Sequence, residues 1–258
     1  MNTNKSPIII SGPPRSGTTW MQWFLSQHPR IHIHGQEPKG AAWADLFKWY
    51  DALIEAGKWG IKSNKSSDVK NYTIPHYAGS DPERWREIFG NTIKDFMCGF
   101  GPDKPRWGIK ALWLSTNQKN IDKMNEIWPD SKWIVCIRDP FTSFESQKNT
   151  FVKDQSLEEW IERWIESVKT IRPNKFFCIQ LDKLVKEKPL HKLHELNRIF
   201  KHIEEIPSSE TDDFILKWPI VHKIKPDNKR FFKLAEKRKE EILNKFKNLY
   251  PLMKEMGY

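Results

Sequence analysis

The chain has 258 residues, enough for one substantial core, and its 38% apolar content suits a globular domain and excludes fibrous or disordered classes. Forty-three Lys and Arg against 33 Asp and Glu give a net charge of +10, which favours an anionic ligand or partner without naming one. No apolar run approaches the roughly 20 residues of a membrane span.

Met1 to Pro7 is polar and leads straight into a strand pattern, so no secretory signal is expected and the chain reads as cytoplasmic. The first apolar run, Pro7 to Gly12, contains Ile8, Ile9 and Ile10 and passes into Ser11-Gly12-Pro13-Pro14-Arg15-Ser16-Gly17-Thr18-Thr19. An amphipathic helix is predicted next, over Thr18 to His28. A glycine-bearing turn between strand and helix aims backbone N–H groups and the positive helix end at an anion. Its frame is Gly, four residues, Gly, but Thr18 and Thr19 stand where an ATP-binding loop places Lys before Ser or Thr. The cation comes earlier, at Arg15.

A second run, Arg30 to Gly35, alternates Ile31 and Ile33 with His32 and His34. Both histidines therefore share one face of a strand, and only His34 lies near its carboxyl end. A helical pattern over Trp43 to Ala56 leads to the polar stretch Lys58 to Asp81, read as an acceptor loop or as an inert insertion. Helical spacing returns over Pro82 to Phe96. Three more strand-like runs follow, Arg106 to Ala111, Lys132 to Arg138 and Lys175 to Leu181, with helical patterns at Leu157 to Ile171 and Lys188 to His202. Trp160 and Trp164, at helical spacing, read as core residues. Cys98, Cys136 and Cys178 are odd in number and widely spaced, which predicts reduced, buried thiols. Residues 221–258 hold eleven Lys and Arg against five Asp and Glu, so this segment carries more than half of the excess charge. No linker or repeat divides residues 1–258, and a single domain is expected. Strand alternating with helix predicts an α/β fold with a five-stranded, mostly parallel central sheet covered on both faces. Ligands should bind beyond the carboxyl ends of the strands.

Pro14 to Thr19 resembles the 5'-phosphosulfate loop, Pro-(Lys/Arg)-Ser-Gly-Thr-Thr, of sulfotransferases that use 3'-phosphoadenosine 5'-phosphosulfate (PAPS). A second signature of that family is Arg-Asp-Pro with Ser eight residues after the Arg, and Arg138-Asp139-Pro140 with Ser146 reproduces it. The resemblance implies a P-loop-NTPase-like, three-layer α/β/α fold. It also implies that Pro14, Arg15, Ser16, Gly17, Thr18 and Thr19 bind the sulfuryl end of the cofactor, and that Arg138 and Ser146 hold its 3'-phosphate. Trp107-Gly108-Ile109-Lys110 resembles the family's third strand, whose Lys acts near the transferred group. Trp20 is implied to stack on the adenine, or else is a core aromatic spaced with Trp23 and Phe24. His222 to Arg230 occupies the place of a basic loop that closes over the 3'-phosphate, with Lys225 as its candidate. The ending Leu252 to Tyr258 looks like that of bacterial members.

Sulfuryl transfer needs a base for the acceptor proton and cations for the charge that builds on the leaving oxygen. The family branch that acts on phenols and steroids places its base in a Lys-Thr-His pattern, where this chain has Lys110-Ala111-Leu112. Another branch, which includes tyrosylprotein sulfotransferases, uses a Glu after a His-Pro pair and the second strand. Here His28-Pro29 precedes that strand and Gln36-Glu37-Pro38 follows it. Glu37 is the implied general base, His34 its competitor, and Arg15 and Lys110 the catalytic cations. No Cys/His spacing suggests a metal, and these cations with the loop N–H groups make one unnecessary. A P-loop kinase needs a Walker-type Lys and a Mg-binding Asp; a non-catalytic anion or nucleic-acid binder would use the basic C-terminal segment, but no nucleic-acid module is present. The expected activity is transfer from PAPS, releasing adenosine 3',5'-bisphosphate (PAP), to a hydroxyl or amine of a carbohydrate, peptide or small molecule. No nucleic-acid partner is expected, and a homodimer is left open.

Overall fold

The structure is a computed structural model that describes residues 6–35, 45–55, 82–98, 102, 104–112, 114–148, 155–187, 189–217, 238–256 and 258. Its centre is a sheet of five strands: β1 Ile8–Ser11, β2 Ile31–His34, β3 Arg106–Lys110, β4 Lys132–Ile137 and β5 Phe177–Gln180. The strand order is β2-β3-β1-β4-β5, and all four pairings are parallel. Ile8, Ile9 and Ile10 are fully buried because β1 is the central strand and both its faces are covered.

Helices cover the two faces. They are α1 Thr18–Ser26, α2 over residues 45–55, α3 Pro82–Cys98, α4 Gln118–Ile127, α5 Pro140–Lys148 and α6 Leu157–Ile171. Then come α7 Leu181–Lys186, α8 Pro189–Ile203, α9 Ser209–Lys217, α10 over residues 238–245 and α11 Leu249–Glu255. Ile8, Ile10, Ile31, Ile33, Ile134 and Cys136 point to one face and pack on α1, α8 and α9. Alternate residues point the other way. Ile9, Trp107, Ile109 and Trp133 meet α2, α3 and α4, while Val135 and Ile137 meet α5, α6, α10 and α11. This is the three-layer α/β/α arrangement expected.

Local chemistry explains the element ends. A capping box, Ser156 with Glu159, opens α6 at Leu157, where the apolar spacing begins. Helix α1 stops two residues short of the predicted His28. The Lys104 ammonium takes the carbonyls of Ser26 and His28, at 3.0 and 2.9 Å, and Pro29 follows. Asp139 and Pro140 start α5 as cap and first residue, the Asp139 carboxylate accepting from Thr142 N at 2.8 Å and from its hydroxyl at 2.9 Å. One expectation is corrected. Cys136 is buried, but Cys178 is exposed, because β5 is an edge strand and its apolar run is covered only in part. Cys98 is described as helical backbone alone.

His202, on α8, donates from Nε2 to the carbonyl of Trp133 at 3.1 Å. Burial holds its imidazole below the ordinary value, against the raising effect of that hydrogen bond. A depressed folded value means that the folded state binds fewer protons. Stability is therefore whole above the unfolded value near 6.5 and is lost as pH falls through the folded value. His32 acts in the same sense, depressed by burial and then by His34 and Lys104. Between about pH 7.5 and about pH 5 the thermal midpoint is expected to fall, and to fall less in His202→Gln. Equal falls in variant and wild type would exclude His202 as a source.

Candidate active site

The loop between β1 and α1 lies at the carboxyl end of the central strand. Two residues in it besides Gly17 have positive φ: Gly12 at 146° and Arg15 at 64°. Left-handed backbone at an arginine costs about 1–2 kcal/mol and is a device found where a side chain must be aimed. Gly17, with φ 94°, caps α1 and supplies no side-chain hydrogen bond to the first turn. The N–H groups of that turn thus face the loop mouth as anion donors. Ser16 is fully buried, and its hydroxyl has no hydrogen-bond partner among the described residues. Thr18 is buried, Pro14 half-buried and Thr19 exposed.

The two arginines of the sequence motifs converge here. Arg138 follows the last residue of β4 and is only 6% exposed; its Nη1 donates to the Arg15 carbonyl at 3.4 Å. Arg15 donates from Nε to the Ser146 hydroxyl on α5 at 3.0 Å. Ser146, expected to share a phosphate with Arg138, is thereby joined to the phosphate loop. Burial lowers the guanidinium of Arg15 below its ordinary value, and the charge of Arg138 lowers it further. Arg138 is also lowered by burial, against the raising effect of Asp182. Two cations held together in a partly dry site favour an anion between them. A buried hydroxyl, two arginines and a capless helix start fit the phosphate and phosphosulfate groups of PAPS.

Lys110 ends β3, and its ammonium donates to the Thr19 hydroxyl at 3.4 Å. It lies on the α1 face of the sheet, because it is in register with Ile10. His34 is in register with Ile109, whose side chain joins the opposite core. Lys110 and His34 therefore leave the sheet on opposite faces, a separation readable only from the β2–β3 register. Trp20 stacks on Phe24, with centroids 5.4 Å apart and rings 4° from parallel. It also meets Phe214 at 6.0 Å, so one indole face belongs to the core. Trp160 and Trp164 are core residues, as expected, yet their indoles also brace the site. Trp164 Nε1 donates to the Arg138 carbonyl and Trp160 Nε1 to that of Pro140, each at 3.0 Å. Glu37 and Lys225 lie outside the described residues, as does the stretch Lys58 to Asp81.

Two contributors carry no motif. The Ser11 hydroxyl, at the end of β1, donates to the Ala111 carbonyl at 2.6 Å and accepts from Ser115 N at 3.0 Å, tying the phosphate loop to the turn after Lys110. Asp182 accepts from Arg138 Nε at 3.2 Å. Both join residues far apart in sequence, and only the strand order brings them together. Among the described residues no group of three or more His, Cys, Asp or Glu is placed to hold a metal. Nor is any described helix long and apolar enough to cross a membrane.

A family model described as Sulfotransferase family matches residues 7–205, and the chain belongs to that family. Protein-tyrosine sulfotransferase A of Caenorhabditis elegans is 26% identical over 132 residues, 51% of this chain but only 30% of that protein. The sulfotransferase domain of the Synechococcus PCC 7002 olefin synthase superposes with a TM-score of 0.50 at 17% identity, covering 81% of this chain and 77% of the other. The sulfotransferase domain from the curacin biosynthetic pathway does so with a TM-score of 0.50 at 16% identity and the same coverage. At these identities the structural likeness speaks for the fold, which is P-loop-like α/β.

Proposed function

We propose that the protein is a sulfotransferase that moves a sulfuryl group from PAPS to an acceptor hydroxyl, with Glu37 as general base. The observation that carries this reading is the meeting of Arg15 with Ser146 and of Arg138 with the Arg15 carbonyl, beside a capless helix start, in a chain of the sulfotransferase family. When bound, PAPS supplies the sulfuryl group, whose bond to the 5'-phosphate oxygen breaks as a bond to the acceptor oxygen forms.

The chain's own residues then divide the work. The N–H groups of the loop and first turn of α1 hold the 5'-phosphate, and Arg15 and Lys110 stabilise the negative charge that develops on the leaving oxygen. Arg138 holds the 3'-phosphate, with Lys225 of the basic C-terminal segment as its second cation. Trp20 offers the adenine the indole face that Phe24 does not cover. Glu37 takes the acceptor proton. Support for Glu37 over His34 comes from the sheet, because His34 leaves it on the face opposite Lys110. The tyrosylprotein relative favours a peptide hydroxyl among the acceptors considered.

A kinase reading has less support. The loop has no Walker-type Lys, and the carboxylate of Asp139 is engaged by Thr142. Calorimetric titration with adenosine 3',5'-bisphosphate in the presence of EDTA tests the reading. Binding without metal is expected, and Mg-dependent ATP binding in its place would overturn it. Glu37→Gln is expected to keep nucleotide affinity within about twofold and to lower turnover by about a hundredfold or more, within the range for a general base. Turnover is read with labelled PAPS on a panel of tyrosine peptides, glycans and small phenols. Near-normal turnover in that variant would remove Glu37 from the mechanism.

A further inference from the structure

Asp182, in the first turn of α7, belongs to neither sequence motif. Its side chain is 12% exposed and faces Arg138, at 7%. One carboxylate oxygen accepts from Arg138 Nε at 3.2 Å, and the other accepts from the backbone N–H of Asp139 at 2.8 Å. A single carboxylate thus grips both the guanidinium and the turn that carries it. Trp164 fixes the same turn from the other side through the Arg138 carbonyl. Tyr258 packs on this part of the core. Its hydroxyl is buried near Asp182, Asp139 and Arg138, and burial with the two carboxylates raises its ionisation well above the ordinary tyrosine value. The pair therefore sits in a dry setting, where charge-assisted hydrogen bonds are strong.

A guanidinium held through Nε cannot swing about its last side-chain bonds. Its Nη edge is then turned to the Arg15 carbonyl and the phosphate loop. We infer that Asp182 is a positioning residue that aims Arg138 at the nucleotide's 3'-phosphate and so sets the preference for 3'-phosphorylated nucleotides. The inference rests on the reading of Arg138 given above.

Electrostatics alone predicts the opposite sign. Removing a carboxylate beside an anion site should tighten phosphate binding, whereas loss of positioning should weaken it. The readout is the ratio of affinities for adenosine 3',5'-bisphosphate and adenosine 5'-phosphate, measured by calorimetry with EDTA present. Asp182→Ala is expected to lower that ratio about tenfold, the equivalent of one hydrogen bond to a charged group. Asp182→Asn keeps an acceptor for Arg138 Nε but offers an amide to the Asp139 N–H, and is expected to lower it about threefold. In an Arg138→Ala background, Asp182→Ala should change the ratio less than about twofold, because the effect acts through Arg138. If the alanine variant does not fold, the isosteric asparagine variant decides. An unchanged or raised ratio, or an equal fall without Arg138, would overturn the inference. Wild-type protein with no preference for the bisphosphate would overturn the assignment of Arg138 itself, and the inference with it.

Discussion

Arg138→Ala is expected to weaken binding of adenosine 3',5'-bisphosphate by about a hundredfold or more, while affinity for adenosine 5'-phosphate falls far less. Two hydrogen bonds from a guanidinium to a phosphate contribute about 3 kcal/mol together, which corresponds to about a hundredfold in affinity. A second effect has the same sign. Asp182 is nearly buried against Arg138, so its carboxylate loses that guanidinium in the variant and adds repulsion toward the 3'-phosphate. Stability should suffer as well, by about 3 kcal/mol, because removing one partner of a buried ion pair leaves the other uncompensated. Titration with both nucleotides, well below the unfolding midpoint, separates the two consequences. Equal losses for both ligands would mean that Arg138 does not contact the 3'-phosphate and serves the fold alone.

Local patterns in the sequence carried much of this site. The triple-Ile strand and its glycine turn place the phosphate loop, the apolar spacing places α6 from Leu157 to Ile171, and the Arg-Asp-Pro turn does fall at the end of β4. These are short-range features, set by strand burial, helix capping and turn chemistry. Contacts made across the sheet have no such local signature. Arg15 and Ser146 are 131 residues apart, Ser11 and Ala111 are 100 apart, and Arg138 and Asp182 are 44 apart. Each pair meets because β1 lies between β3 and β4, and β4 beside β5. Alternation placed His32 and His34 on one face of a strand, but which face requires the pairing of β2 with β3. The exposure of Cys178 has the same origin, since an apolar run does not say whether its strand lies at the centre of a sheet or at its edge.

Gly12→Ala is expected to destabilise the protein by about 3 kcal/mol or more, the upper end of what one strained backbone position costs. Gly12 has φ of 146°, and a Cβ there would lie 2.1 Å from the carbonyl oxygen of Cys136 and 2.9 Å from the Ser16 hydroxyl. The first of these atoms is the harder to move. It belongs to the backbone of β4, which is paired on both sides, with β1 and with β5, so relief must come from the loop. Moving the loop would shift Ser16 and the start of α1, the groups placed to hold the 5'-phosphate. Gly17→Ala faces an unfavourable φ of 94°, which by itself costs about 1–2 kcal/mol. Urea unfolding of the two variants beside wild type checks the contrast. A Gly12→Ala loss no larger than that of Gly17→Ala would show that the loop relaxes freely away from β4, and the close approach would then not be what shapes the phosphate cradle.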